Sequence, residues 1–199
     1  AAMVRGGYIP FSVQVMRDFP RAPARGEAVF ILSTCFGRNA THLAAMVDAG
    51  VVQETIKVLK DGTAAGTFAA IDPISSDMRV GISGMLLLGS LARENVTVQN
   101  MAIDAGAIEA IASMVTAFGG RNEHMPYGGE LDMLPVACMA LRSLVGTGAA
   151  SIARASNTGV VTSMASWLSQ RSPSDPAKGA CEPLMWMINL HQALKKAHH

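Results

Sequence analysis

The sequence predicts an all-α chain, a curved stack of helix triplets. Three observations carry that prediction. The first is a recurring cassette: Val47-Asp48-Ala49-Gly50-Val51-Val52, then Ile103-Asp104-Ala105-Gly106-Ala107-Ile108, then the drifted Ser156-Asn157-Thr158-Gly159-Val160-Val161, with Arg5-Gly6-Gly7-Tyr8-Ile9-Pro10 as a truncated fourth. In each, a helix-forming run meets a glycine, whose tolerance of positive φ closes one helix and lets the next leave at a steep angle. The second is spacing: the glycines recur at 50 − 7 = 43, 106 − 50 = 56 and 159 − 106 = 53 residues. The third is that both longer intervals contain an insertion rich in Gly, Pro, Ser and Asp, residues 60–77 and 118–132. Removing about 10 to 13 residues from each restores a period of about 40 to 47, that of a helical array with loops on one face.

Taken in order, Ala1 to Gly6 closes a short helix. Tyr8 to Arg17 is a middle helix, apolar at Ile9, Phe11, Val13 and Met16; Pro10 falls in its first turn, where a missing N–H costs little. The stretch Pro20 to Pro23 stops it. Glu27 to Phe36 is nearly all apolar, so periodicity leaves strand and helix open, and its place in the repeat argues helix. Ala40 to Ala49 and Val51 to Leu59 are the next short and middle helices. Met78 to Glu94 is the longest helical pattern, weakened by Gly81, Gly84 and Gly89 at roughly 1 kcal/mol each relative to alanine; small residues there allow close helix approach. Asn95 suits an N-cap for the short helix ending at Ala105, and Ala107 to Ala117 follows. Met133 to Val145, Ala149 to Ser156 and Val160 to Gln170 repeat the order. After a loop at Ser172 to Pro176, Ala177 to Leu194 is a last long helix, in which Pro183 predicts a late start or a kink.

A chain of 199 residues spans one or two domains by length, and a repeat array needs a single core. With 50% apolar and 16% charged residues it is unusually apolar. That excess fits a dense helical core, or, as the favoured reading, open array ends without polar caps, which makes the chain a segment of a longer solenoid. The longest apolar run, Gly84 to Ala92, is too short for a membrane span and meets Arg93-Glu94, so no membrane insertion is expected. A net charge of +1 supplies no drive toward nucleic acid. Cys35, Cys138 and Cys181 are odd in number, far apart and set in apolar runs; they read as reduced thiols in a core, which places the chain in the cytoplasm or nucleus. His198 and His199 read as a tail rather than as a metal site with His191. No Cys or His pair has ligand spacing, so neither metal nor cofactor is expected.

At this point the sequence resembles the armadillo repeat family, whose units run short, middle and long helix. Gly7-Tyr8-Ile9-Pro10-Phe11-Ser12-Val13-Gln14-Val15-Met16 matches the family's glycine hinge and middle helix, and Gly106 to Val115 nearly as well. The interval from the family's long-helix leucine to the next hinge is constant: 50 − 35, 106 − 91 and 159 − 144 all give 15. The resemblance covers nearly the whole chain as one domain with repeats at about 1–38, 39–94, 95–147 and 148–192, the first incomplete. It implies a right-handed α-α superhelix whose long helices line a concave groove.

Aligned on Cys35, Leu91, Leu144 and Leu190, the family's tryptophan column falls at Phe30, Leu86, Met139 and Met185, and its asparagine column at Thr34, Ser90, Ser143 and Asn189. These columns are four apart and share a helical face. Trp186 lies one place out of register, and Arg142 beside the columns suits an acidic partner. The resemblance thus implies a non-enzymatic scaffold or adaptor that holds an extended peptide or helix of another protein. Methionines at 85, 139, 185 and 187 give that wall an adaptable apolar character, or fill the core. An importin-alpha-like adaptor for transport signals is the nearest alternative; the missing asparagines and acidic lining count against it. Catalysis finds no constellation: no orienting pattern joins Cys35 or Cys138 to His42 or His124. The 118–132 loop, with Arg121, Glu123, His124 and Tyr127, is the remaining place for an enzyme-associated regulatory role.

Overall fold

The structure, a computed structural model, describes residues 6–19, 23–36, 40–64, 77–118, 122–124, 130–146, 148–172 and 174–197. The fold is all-α. Its helices are α1 (Tyr8–Asp18), α2 (Pro23–Ile31), α3 (Ala40–Asp48), α4 (Val51–Ala64), α5 (Asp77–Ala92), α6 (Val96–Asp104), α7 (Ala107–Phe118), α8 (Met133–Val145), α9 (Ala149–Asn157), α10 (Val160–Ser169) and α11 (Pro176–Ala197). A two-stranded antiparallel ribbon, β1 (Asn122–His124) and β2 (Glu130–Asp132), sits between α7 and α8.

The hinge glycines behave as their spacing predicts. Gly7, Gly50, Gly106 and Gly159 have φ of 72°, 81°, 86° and 72°, a left-handed conformation that costs a residue with a Cβ about 1–2 kcal/mol. Each precedes a middle helix. Equivalent helices then stack: α2, α5, α8 and α11 pack in one row, and α1, α4, α7 and α10 in a second row against it. Their buried faces join one hydrophobic cluster running from Ile9 on α1 to Ile188 on α11.

Two features bring the rows close. Small residues let backbones approach: a Cβ on Gly89 of α5 would lie 3.2 Å from Cα of Ala140 on α8, and one on Gly26 of α2 would overlap Val80 of α5. Polar contacts then tie successive units near the hinges. Arg17 pairs with Glu54 at 2.7 Å, Arg154 with Glu109 at 2.7 Å, and Lys60 donates to the Ala105 carbonyl at 2.8 Å.

Several expectations need correction. Cys138 and Cys181 are bonded to each other, joining α8 to α11 across 43 residues of sequence, and Cys35 is exposed. The chain therefore does not hold three buried thiols, and the argument from reduced cysteines to a cytosolic chain lapses, because structural disulfides are rare in that compartment. Spacing along the chain concealed the pair; stacking of α8 on α11 creates it. Helix α2 begins at Pro23, not Glu27, since proline is well placed at a first helical position. Its continuation, Leu32–Phe36, winds as a π-helix, with Ser33 and Thr34 hydroxyls donating to the Phe30 carbonyl at 2.8 and 2.9 Å. Helix α4 continues to Ala64, into the first insertion. Helix α11 starts ahead of Pro183, because Asp175 caps the Ala177 N–H at 2.8 Å with Pro176 at the first position. No described helix is long and apolar enough to cross a membrane.

Candidate partner-binding groove

The groove residues lie on the row α2–α5–α8–α11. Along this row, core positions are closed: Met85, Leu87, Leu88, Ala137 and Cys138 are fully buried. Turning each helix by one position exposes the predicted column, where Leu86 is 41% and Met139 46% exposed. Both face solvent among polar neighbours, although each is a large apolar side chain. Phe30 and Met185 are half-buried; Met85 belongs to the core, and the side chain of Met187 lies outside the described residues.

Two adjoining cavities follow this column. One, of about 870 Å³, is lined by Ser33 and Thr34 from the π-turn, Leu43 of α3, Leu86 and Ser90 of α5, and Arg93 and Glu94 beyond it. The other, of about 680 Å³, is lined by Arg93, Glu94, Val96, Gln99, Met139, Arg142, Ser143 and Gly146. Arg93 and Glu94 belong to both, so the two form a continuous trough across three successive units. Of the expected residues, Thr34, Leu86, Ser90, Met139, Arg142 and Ser143 come together there. Phe30, Met185, Trp186 and Asn189 line neither cavity; Trp186, 64% exposed, and Asn189 stand open on α11.

Reading single helices missed Ser33, Leu43, Arg93, Glu94, Val96 and Gln99. Most lie in the turn after a long helix or on the following short helix, so a face drawn on one helix cannot contain them. Gln99 has an evident local role. Its amide donates to the carbonyls of Ala92 and Ser143, both at 3.0 Å, satisfying an end group on α5 and another on α8. It thereby pins the trough's two walls at a fixed separation. Glu94, just past the end of α5, has a φ of 57°, in the left-handed region that non-glycine residues seldom adopt.

The trough is also electrostatically distinct. Arg17, Arg25, Arg154 and Arg171 each sit in an ion pair, with Glu54, Asp61, Glu109 and Asp132 respectively. Arg93 and Arg142 have no carboxylate partner among the described residues, and both line the trough. Thr34 spends its hydroxyl hydrogen on its own helix, leaving lone pairs for an incoming N–H. Away from the trough, burial of Glu109 pushes its carboxyl up, but the Arg154 hydrogen bond, with the charges of Arg154 and Lys60, outweighs this and holds it below the ordinary carboxylate value.

No cluster of three or more His, Cys, Asp or Glu side chains suited to a metal occurs among the described residues. The candidate residues of the second insertion, Arg121, Glu123, His124 and Tyr127, have side chains outside the described set.

No protein-family model matches the chain, and no curated protein matches it. Among solved structures, the crystal structure of an engineered protein, a structural-genomics target, superposes with a TM-score of 0.52 at 16% identity, over 96% of this chain and 83% of that one. At that identity the likeness shows a shared fold over nearly the whole chain.

Proposed function

We propose that the chain is an armadillo-type superhelix and acts as a non-enzymatic protein-interaction scaffold, holding an extended segment or helix of a partner protein along the trough. The observation that carries this reading is the pair of adjoining cavities, which share Arg93 and Glu94 and expose Leu86 and Met139 at equivalent places on successive long helices. An extended chain has side chains and amides at regular intervals, and a wall of stacked equivalent helices offers apolar seats and polar atoms in the same repeating manner. Methionine adapts its shape to varied apolar partners. Arg93 and Arg142, without carboxylate partners among the described residues, disfavour a basic transport signal, which ranks the importin-like alternative below a neutral or acidic segment.

The test is a pull-down with wild-type chain beside Leu86→Glu/Met139→Glu, followed by calorimetry with the purified partner. Both side chains are exposed, so the variant should melt as the wild type does. Its partner binding should fall at least about 100-fold, as when central apolar anchors are removed. Undiminished binding by the variant would remove the trough as the site.

A further inference from the structure

The charges of the trough are not demanded by the stack that carries them. Aligned on Leu91 and Leu144, Arg93 after α5 corresponds to Gly146 after α8, and Arg142 of α8 corresponds to Gly89 of α5. Glycine fills both equivalent places, so packing between units does not require an arginine at either. Both arginines are exposed, and both line the cavity of about 680 Å³. A guanidinium presents N–H groups in a fixed fork that fits a carboxylate, two donors to two oxygens. Glu94 is the one carboxylate lining that cavity among the described residues, so cations outnumber anions there by two to one.

Apolar seats adjoin these charges. Six large apolar side chains stand exposed among the described residues, and three of them, Leu86, Val96 and Met139, line the trough. Gln99 adds a group suited to a polypeptide. Its two amide hydrogens are spent on the carbonyls of Ala92 and Ser143, which leaves its Oε1 to accept. A Cβ on Gly146 would lie 3.1 Å from that oxygen, so glycine leaves this side of it uncovered, and both residues line the cavity.

We propose, on the reading of the trough as a polypeptide site, that its occupant is an acidic segment of a partner protein. Side-chain carboxylates of that segment pair with Arg93 and Arg142, its apolar side chains sit over Leu86, Val96 and Met139, and a backbone N–H donates to Gln99 Oε1. Packed helices lie about 8 to 10 Å apart, which an extended chain spans in about three residues. Apolar anchors at every third residue with acids between them therefore match the wall. Nucleic acid fits less well, because no aromatic ring on which a base could stack lines either cavity among the described residues. Glu94 opposes the incoming carboxylates, so removing its charge strengthens binding.

Fluorescence polarisation of three labelled decapeptides, Leu-X-X-Leu-X-X-Leu-X-X-Leu with X as Glu, Gln or Lys, tests this with the full chain at up to about 300 µM. The Glu peptide should bind at least about 10-fold more tightly than the Gln peptide, and the Lys peptide least. Arg93→Gln/Arg142→Gln should bring the Glu peptide down to the affinity of the Gln peptide and leave the latter unchanged. Glu94→Gln should tighten the Glu peptide about 3-fold, and raising the salt from about 50 to 500 mM should erase most of its advantage. No binding of the Glu peptide, no preference over Gln, or a preference that survives loss of both arginines would each overturn the inference. So would loss of Gln-peptide binding in Arg93→Gln/Arg142→Gln, which would make the arginines structural. Leu86→Glu/Met139→Glu separates the two readings. If it abolishes Gln-peptide binding while the wild type shows no preference for Glu, the trough stands and its acidic occupant falls; if Gln-peptide binding ignores it, both fall.

Discussion

Removing the bond between Cys138 and Cys181 is the perturbation whose size follows most directly from the structure. The bond closes a loop of 43 residues, from the middle of α8 to the first turns of α11. A loop of that length restricts the unfolded chain by about 4 kcal/mol at 25 °C. Both cysteines are fully buried where α8 packs on α11. Cys138→Ala/Cys181→Ala therefore also loses sulfur contacts, and the cost should be about 4 to 5 kcal/mol, a large share of a domain's stability. With a urea m-value of about 2 kcal/mol/M, the unfolding midpoint should fall by about 2 M. The assay pairs urea melts of both proteins with thiol titration of the denatured chain. Without reductant one thiol, Cys35, should react; with reductant, three. Three reactive thiols before reduction, or a stability difference under about 1 kcal/mol, would refute the cross-link and the reasoning from it.

Three other outcomes are expected. Gly89→Val should destabilise by about 1 to 3 kcal/mol in thermal melts, because its Cβ would press on the Ala140 backbone, which cannot rotate away, and this exceeds the helix propensity gained. Gln99→Ala should cost about 1 to 2 kcal/mol in urea melts, since the carbonyls of Ala92 and Ser143 lose a shared donor, and should weaken partner binding by loosening the trough. Glu109 has a lowered folded pKa, so its contribution is present above the unfolded carboxylate value and disappears as pH falls through the folded one. Glu109→Gln should accordingly cost under about 1 kcal/mol at pH 7, the pair being partly exposed, and the difference from wild type should vanish once the pH falls below the lowered folded value.

How far the sequence could be read depended on whether a feature was local. The hinges were legible because a glycine in the left-handed region is a one-residue requirement, and Gly50, Gly106 and Gly159 meet it. The N-cap at Asn95 was legible for the same reason: its side chain accepts from Val98 three residues on. The π-turn at Leu32–Phe36 was not, because the change of winding there, where Ser33 and Thr34 both donate to the Phe30 carbonyl, leaves the apolar pattern unchanged. The disulfide and the trough's arginines were hidden for a different reason. They depend on which helix lies beside which, and that is settled by small contacts such as Gly89 on Ala140.

The make-up of the trough bears on what it can hold. Around Leu86 and Met139, apolar area alternates with hydroxyls, Gln99 and two arginines without carboxylate partners among the described residues. A ligand seated there must bring hydrogen-bonding groups of its own, or those polar atoms lose water without compensation. An extended backbone brings them at every residue.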